Sequence, residues 1–335
     1  MNFKSRGLAF CGMACCLSLC CLTACKKDCG STNFIDARCC TAYQQSDPLP
    51  DQPPPGVTRL AVGGDARDDH AGVVPWAFKE AVKRGAKAFF FLGDLERTYA
   101  EDDLFLHKLP DLGDVLFYPA MGNHEVETLG FLRMPEEESR HRVKEFKEKF
   151  VKAHGVNLAD INDVVAYSAD LEGGIHLIAL DNVSRKGEGF GPEQLKWLAT
   201  DLAAASAAGK IILVGMHKGL AKNPVTTHAM DEDGPNACKD SDAALALFKT
   251  YKVAMVFVSH SHRYAAYSQD GLPLRLTGGL GAPVVKGLSA ENGGFHHFLL
   301  VDVPRAAGST PLLVQVVTFQ GPTTIDPKVE SKENE

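Results

Sequence analysis

The sequence predicts an α/β protein, a four-layer αββα sandwich of two mixed sheets flanked by helices. Three observations lead there. Strands and helices alternate through the first half of the folded part. One strand, residues 88–92, reads Ala-Phe-Phe-Phe-Leu, and a continuously apolar strand is one buried on both faces. The C-terminal part then turns strand-rich, which asks for a second sheet rather than more parallel units.

Each element follows in turn. Residues 59–62 form a short apolar strand, and residues 73–83 have helical spacing, with Val74, Phe78, Ala81 and Val82 on one side. Gly85 ends that helix before strand 88–92, and strand, helix, strand implies a right-handed parallel crossover. A second unit pairs helical residues 102–109 with strand 115–118. Residues 136–154 read as a charged amphipathic helix whose apolar stripe is Val143, Phe146, Phe150 and Val151. Strands 164–169 and 175–180 flank a Gly173-Gly174 turn. Helix 192–208 has Pro192 in its first turn and Gly209 just past its end. Strand 211–214 leads to His217, and helix 243–251 with strand 253–258 leads to His260. Strands 275–277, 298–303 and 312–318 close the chain, and residues 218–239 form a long loop placed to overhang the strand ends.

Composition is that of a globular protein: 335 residues, 45% hydrophobic, 23% charged. With a net charge of -7, no basic surface advertises nucleic acid as a partner. Six of the ten cysteines, Cys11, Cys15, Cys16, Cys20, Cys21 and Cys25, lie in the leader. Cys29, Cys39 and Cys40 follow it, and Cys238 alone lies in the body, so no disulfide framework spans the fold. Pairing among those last four is left open.

Lys4 and Arg6 precede an apolar stretch, residues 8–22, that is short for a membrane-spanning helix. Leu22-Thr23-Ala24-Cys25 resembles the bacterial lipobox. That resemblance implies a signal peptide over 1–24 and lipidation of Cys25; a plain secretory signal is the alternative. Lys26, rather than Asp, implies outer-membrane sorting under the enterobacterial rule. The expected setting is the bacterial cell envelope, with the protein lipid-anchored and facing the periplasm. Residues 25–56 read as a tether ending in a Pro-rich run, the folded domain as 57–322, and 323–335 as a polar tail.

Metal-binding residue types recur just after apolar strands: Asp65, Gly93-Asp94, Gly122-Asn123-His124-Glu125, His217, and His260-Ser261-His262. Asp, Asn and His bind divalent cations, and ligands gather at strand carboxyl ends in open α/β sheets. A lone His217 is an ordinary buried polar residue and Gly122-Asn123 an ordinary turn. Five blocks in order are not explained that way.

These blocks resemble the calcineurin-like metallophosphoesterases, over about residues 57–320. The resemblance implies two divalent metal ions, Mn, Fe or Zn, bridged by Asp94. Asp65 and His262 would hold the first, and Asn123, His217 and His260 the second. His124 would act as general acid or transition-state stabiliser toward a small phosphate mono- or diester, cleaved by metal-bound hydroxide. The family's Asp-x-His reads Asp65-Ala66-Arg67 here. A guanidinium cannot ligate, so the first site would be weaker, and Arg67 would instead contact a phosphate oxygen. Asp68-x-His70 offers a shifted match, with His70 as replacement ligand. The family's purple acid phosphatases use a Tyr three residues after the bridging Asp; Arg97 stands there, which argues against the purple iron variant. The alternative function is a non-catalytic metal-binding or envelope interaction protein on a decayed phosphoesterase scaffold.

Overall fold

The computed structural model describes residues 48–96, 102–128, 132–152, 155–185, 187, 189–305 and 312–319. Cys25, Cys29, Cys39, Cys40, Arg97 and the polar tail lie outside the described residues. Strands β1 (Val57–Gly63), β2 (Ala88–Phe91), β3 (Leu116–Pro119), β13 (His297–Pro304) and β14 (Leu313–Thr318) form one sheet, in the order β14-β13-β1-β2-β3. β1, β2 and β3 run parallel, β13 adds antiparallel to β1, and β14 adds antiparallel to β13. The second sheet has the order β11-β12-β10-β9-β8-β7-β6. Its members are β6 (Asn157–Leu158), β7 (Tyr167–Leu171), β8 (Ile175–Leu180), β9 (Ile211–Met216), β10 (Met255–Val258), β11 (Tyr264–Gln269) and β12 (Leu272–Thr277). β8, β9, β10 and β12 are parallel. A two-stranded ribbon, β4 (Glu127–Thr128) with β5 (Leu132–Arg133), stands apart.

The triple-phenylalanine strand shows how the layers form. Side chains alternate along a strand, so Phe89 and Phe91 face one way and Phe90 the other. Phe89 meets Phe78 of α1 (Val73–Lys83) at 5.0 Å and Phe91 meets Phe105 of α2 (Asp102–Leu106) at 5.1 Å, both edge-to-face. Phe90 points at the other sheet, where a Cβ added to Gly215 would collide with its ring. The absence of a side chain at Gly215 is thus what lets the two sheets close. On the far side, α4 (Gly191–Ala207) and α5 (Pro235–Thr250) bury Leu198, Leu202, Ala244 and Phe248 against β8, β9 and β10. The outcome is the expected sandwich, two mixed sheets between layers of helix.

Some boundaries differ from expectation. α3 (Glu136–Phe146) passes into a π-helical turn over Lys147–Val151 instead of staying α-helical. α2 is shorter than expected and is followed by a 3-10 turn at Leu109–Leu112, where Pro110 lacks the amide an α-helix needs. α5 starts at Pro235, behind Gly234 (φ 98), so the loop after β9 is shorter than the sequence suggests. β11 was not expected. The Pro-rich stretch meets the domain: buried Arg59 pairs with Asp302 through two bonds of 2.6 and 2.9 Å and donates to the carbonyls of Pro50 and Asp51. Cys238 is buried on α5 and disulfide-bonded. Among the described residues no helix is long and apolar enough to cross a membrane.

Candidate metal centre

The carboxyl ends of β1, β2, β3, β9 and β10 meet at one edge of the sandwich and carry all five motif blocks. Each chain must leave its strand sharply to aim a side chain back over the edge. Asp65 (φ 62), Asp94 (φ 57) and His260 (φ 71) accordingly occupy the left-handed region. That costs an L-residue about 1–2 kcal/mol and persists only where the surroundings fix it. The surroundings are backbone: Asp65 N donates to Gly93 O (3.0 Å), Ala66 N to Asp94 O (2.9 Å) and Ser259 N to His217 O (2.8 Å). Gly93 and Gly122 let two of the loops touch. A Cβ on Gly93 would lie 2.6 Å from the Gly122 nitrogen, so neither position admits a side chain.

Glu125 knots the same two loops. Its buried carboxylate accepts from Gly122 N (2.6 Å), Asp94 N (3.0 Å) and Leu95 N (2.7 Å). Glu127 accepts from Asn123 Nδ2 at 2.9 Å, which turns the amide oxygen of Asn123 inward. The sequence motif includes Glu125 but gives no sign of these roles. Three amides with no ladder partner are the structural signal.

The half built from Asn123, His217, His260 and Asp94 has its potential donor atoms already converged. His217 Nδ1 lies 2.8 Å from the Leu92 carbonyl, which can only accept, so the ring proton sits on Nδ1. Burial holds the imidazole pKa below its ordinary value despite Asp94 nearby. The lone pair on Nε2 therefore faces Asn123 Oδ1 at 2.8 Å, His260 Nδ1 at 3.1 Å and Asp94 Oδ1 at 3.4 Å. The lone pairs of His217 Nε2, Asn123 Oδ1 and Asp94 Oδ1 repel at these separations unless a cation lies among them. Ligands of one tetrahedral ion at ordinary bond lengths are about 3.4 Å apart, so this donor set fits a divalent metal.

The half built from Asp65 and His262 is less complete. Asp65 Oδ2 accepts from Ser259 Oγ and from His260 N (2.9 Å), while Oδ1 has no hydrogen-bond partner and lies 3.6 Å from His262 Nε2. His262 Nδ1 lies 2.9 Å from the Pro283 carbonyl, leaving Nε2 as the inward donor atom. Donor atoms of Asp65, Asp94 and His217 lie within 4.8 Å of one another. Arg67 is buried among them. Burial, then repulsion from Asp94, raises the Asp65 carboxyl well above the usual range. Burial pushes Asp94 the same way, but His217, His124 and Arg67 outweigh it and hold it at about 2. Burial and then Arg67 push His262 down to about 3. Two carboxylates thus compete for one positive environment, which a bound cation would enlarge.

His124 is buried beside the cluster, donating its backbone amide to Asp94 Oδ1 (3.1 Å), with Nε2 at 3.8 Å from Asp94 Oδ2. The shifted match is not used: His70 is 53% exposed and paired with Asp68 at 3.7 Å. Asp69, between them, spends both oxygens on Val73 N and Val74 N at the start of α1. His296 and His297 are buried structural residues, the latter held by the Phe295 carbonyl and Thr277. The loop after β9 does overhang the edge: Ser261 Oγ donates to the His228 carbonyl at 2.9 Å, and the His228 ring stacks on His260.

Two mixed sheets with a metal-type donor cluster at the carboxyl ends of their parallel strands define a phosphoesterase scaffold. The chain belongs to the calcineurin-like phosphoesterase family, whose model matches residues 64–264. Among solved structures it resembles a purple acid phosphatase, PPD1, from yellow lupin (Lupinus luteus), with a TM-score of 0.58 and 18% identity over 81% of this chain and 53% of that one. The chain therefore spans about half the length of the lupin enzyme. A dimetal phosphatase from Danio rerio gives 0.52 and 13% over 77% of this chain and 98% of that one, and PhoD gives 0.53 and 12% over 84% and 74%. At these identities the likeness is one of fold. No curated protein sequence matches the chain.

Proposed function

We propose that this chain is a metal-dependent hydrolase of small phosphate mono- or diesters. The observation that carries the reading is the convergence of His217 Nε2, Asn123 Oδ1 and His260 Nδ1 beside the ionised Asp94. Asp94, Asn123, His217 and His260 would hold one divalent ion, and Asp65, Asp94 and His262 a second and weaker one, of Mn, Fe or Zn type. When bound, such ions supply Lewis acidity toward phosphoryl oxygens and an activated water. The residues do the rest. His124 delivers a proton to the departing oxygen, and Arg67 holds phosphate oxygens with its fork of donors. The Ser259 hydroxyl is committed to Asp65 and is not assigned as a nucleophile.

The test is metal content together with turnover of p-nitrophenyl phosphate and its bis ester after reconstitution with Mn²⁺ or Zn²⁺. Asn123→Ala should lose metal and turnover, and His124→Ala should lose turnover while keeping metal. A folded protein with no bound metal and no turnover would refute the proposal. It would favour the decayed-scaffold reading, for which Arg67 in a ligand's place is the supporting observation. The same proposal anchors the domain to the outer membrane through acylated Cys25, facing the periplasm.

A further inference from the structure

Outside the expected ligands, His228, Glu232 and His260 place donor atoms within 4.8 Å of one another. His228 and Glu232 come from the loop between β9 and α5, Glu232 in the 3-10 turn Met230–Asp233. The loop is fixed to the site edge by Met230 N donating to Gly219 O (3.0 Å) and by Lys218 Nζ paired with Asp233 at 2.9 and 3.0 Å.

The trio is not itself a metal site. The rings of His228 and His260 are stacked, centroids 3.9 Å apart and planes 23° apart. Lone pairs lie in the ring plane, and those of two nearly parallel rings do not meet at a point. Lys218 also brings an ammonium within 3.8 Å of Glu232 Oε2, which opposes a further cation.

The trio bears instead on where the proton of His260 sits. Nδ1 of that ring faces His217 Nε2 and the donor cluster, while Nε2 faces outward, buried and with no hydrogen-bond partner. For Nδ1 to offer a lone pair the proton must sit on Nε2, and a buried N–H needs an acceptor. Glu232 Oε2 lies 3.5 Å from that nitrogen, just beyond bonding distance. Its other oxygen is held by His228 Nδ1.

We propose that Glu232, steadied by His228, is a positioning residue that closes onto His260 Nε2 when His260 Nδ1 takes a metal, so that metal binding tightens the overhanging loop. The inference rests on the metal-centre reading above and goes beyond it by assigning a residue and a motion outside the ligand set. Partners of this kind orient the ring and raise its basicity, and removing one weakens metal affinity about 10–100-fold.

The experiment is titration of the apo full chain with Co²⁺, read by its visible absorption and by calorimetry, for wild type, Glu232→Gln, Glu232→Ala and Asp233→Asn. Hydrogen exchange over residues 226–233 is followed with and without metal. Glu232→Ala should bind at the tighter site about 10–100-fold more weakly. Glu232→Gln, which keeps an acceptor, should fall between it and wild type. Asp233→Asn, which loosens the loop through Lys218 but leaves Glu232 in place, should weaken binding less than Glu232→Ala. The wild-type loop should gain protection on metal binding, and Glu232→Ala should not. Equal affinities for wild type and Glu232→Ala would overturn this inference alone. Metal-independent protection of the wild-type loop would do the same. An extra metal equivalent lost in Glu232→Ala would overturn it in favour of a third site. A wild type that binds no Co²⁺ would remove the metal-centre reading as well.

Discussion

The substitution Glu125→Gln isolates how far the centre depends on the knot between two strand-end loops. It conserves volume and changes only what the side chain can accept. The carboxylate takes three backbone amides, two on Oε2 (2.6 and 3.0 Å) and one on Oε1 (2.7 Å). A Gln can present its one oxygen to the pair or to the single amide, and its NH₂ then faces the remainder as donor against donor. At best one charge-assisted bond is lost and the Leu95 amide is left buried without its acceptor. Hydrogen bonds to charged groups contribute about 1.5–3 kcal/mol, and an orphaned buried donor costs about 1–3 kcal/mol. Because these overlap, the expected loss is about 2–4 kcal/mol. For a domain of this size that lowers Tm by about 4–8 °C, measured by thermal denaturation of the metal-free protein. The variant should also bind metal more weakly, since Gly122 and Asp94 flank the displaced amides. A Tm within about 1 °C of wild type would refute the argument, because no relaxation of a Gln lets its single oxygen accept all three amides.

Two further outcomes follow from other sites. Arg67→His restores the family's Asp-x-His and removes a fixed positive charge. It should tighten the weaker of two metal sites by roughly tenfold, about 1.4 kcal/mol, read as a second equivalent in calorimetric titration. His176 lies between Asp201 (2.7 Å) and Asp170 (2.9 Å). Burial lowers its pKa, but hydrogen bonds to the two carboxylates outweigh that and raise it above the ordinary value. A raised pKa stabilises the fold fully below the unfolded-state value of about 6.5 and loses that contribution as pH rises through the folded-state value. His176→Asn should therefore cost most stability at pH 6 and least well above the raised pKa, in melts across that range; an equal cost at both ends would contradict it.

What the sequence carried was local chemistry; what it hid was partnership across the fold. Ala88–Phe91 was legible because a wholly apolar strand has one physical solution, and α1 because its apolar spacing and the following glycine agree. β11 was missed because its residues, Tyr264 to Gln269, are only half-buried against a single neighbour and show little apolar alternation. The start of α5 was missed although Gly234-Pro235 is a helix-start signal, because Asn236, Lys239 and Asp240 dilute the apolar face. The order of the ligand blocks was legible, since each follows an apolar strand. The roles of Glu125, Glu127 and Glu232 were not. Glu125 and Glu232 act on atoms brought near by chain reversals, Glu127 acts on a neighbour four residues back, and an acidic side chain outside an apolar pattern reads locally as solvated.

The two halves of the centre differ in kind, not only in ligand number. In one half, a carbonyl fixes the tautomer of His217 and a carboxylate fixes the rotation of Asn123, so donors face one another before any ion arrives. In the other, Arg67 supplies positive charge without a lone pair. That charge helps push both the Asp94 carboxyl and the His262 imidazole below their ordinary pKa values, toward the protonation states a ligand needs. An arginine here thus does part of a first cation's electrostatic work while offering nothing that could bind one. It prepares the bridging carboxylate for the half with the fuller donor set.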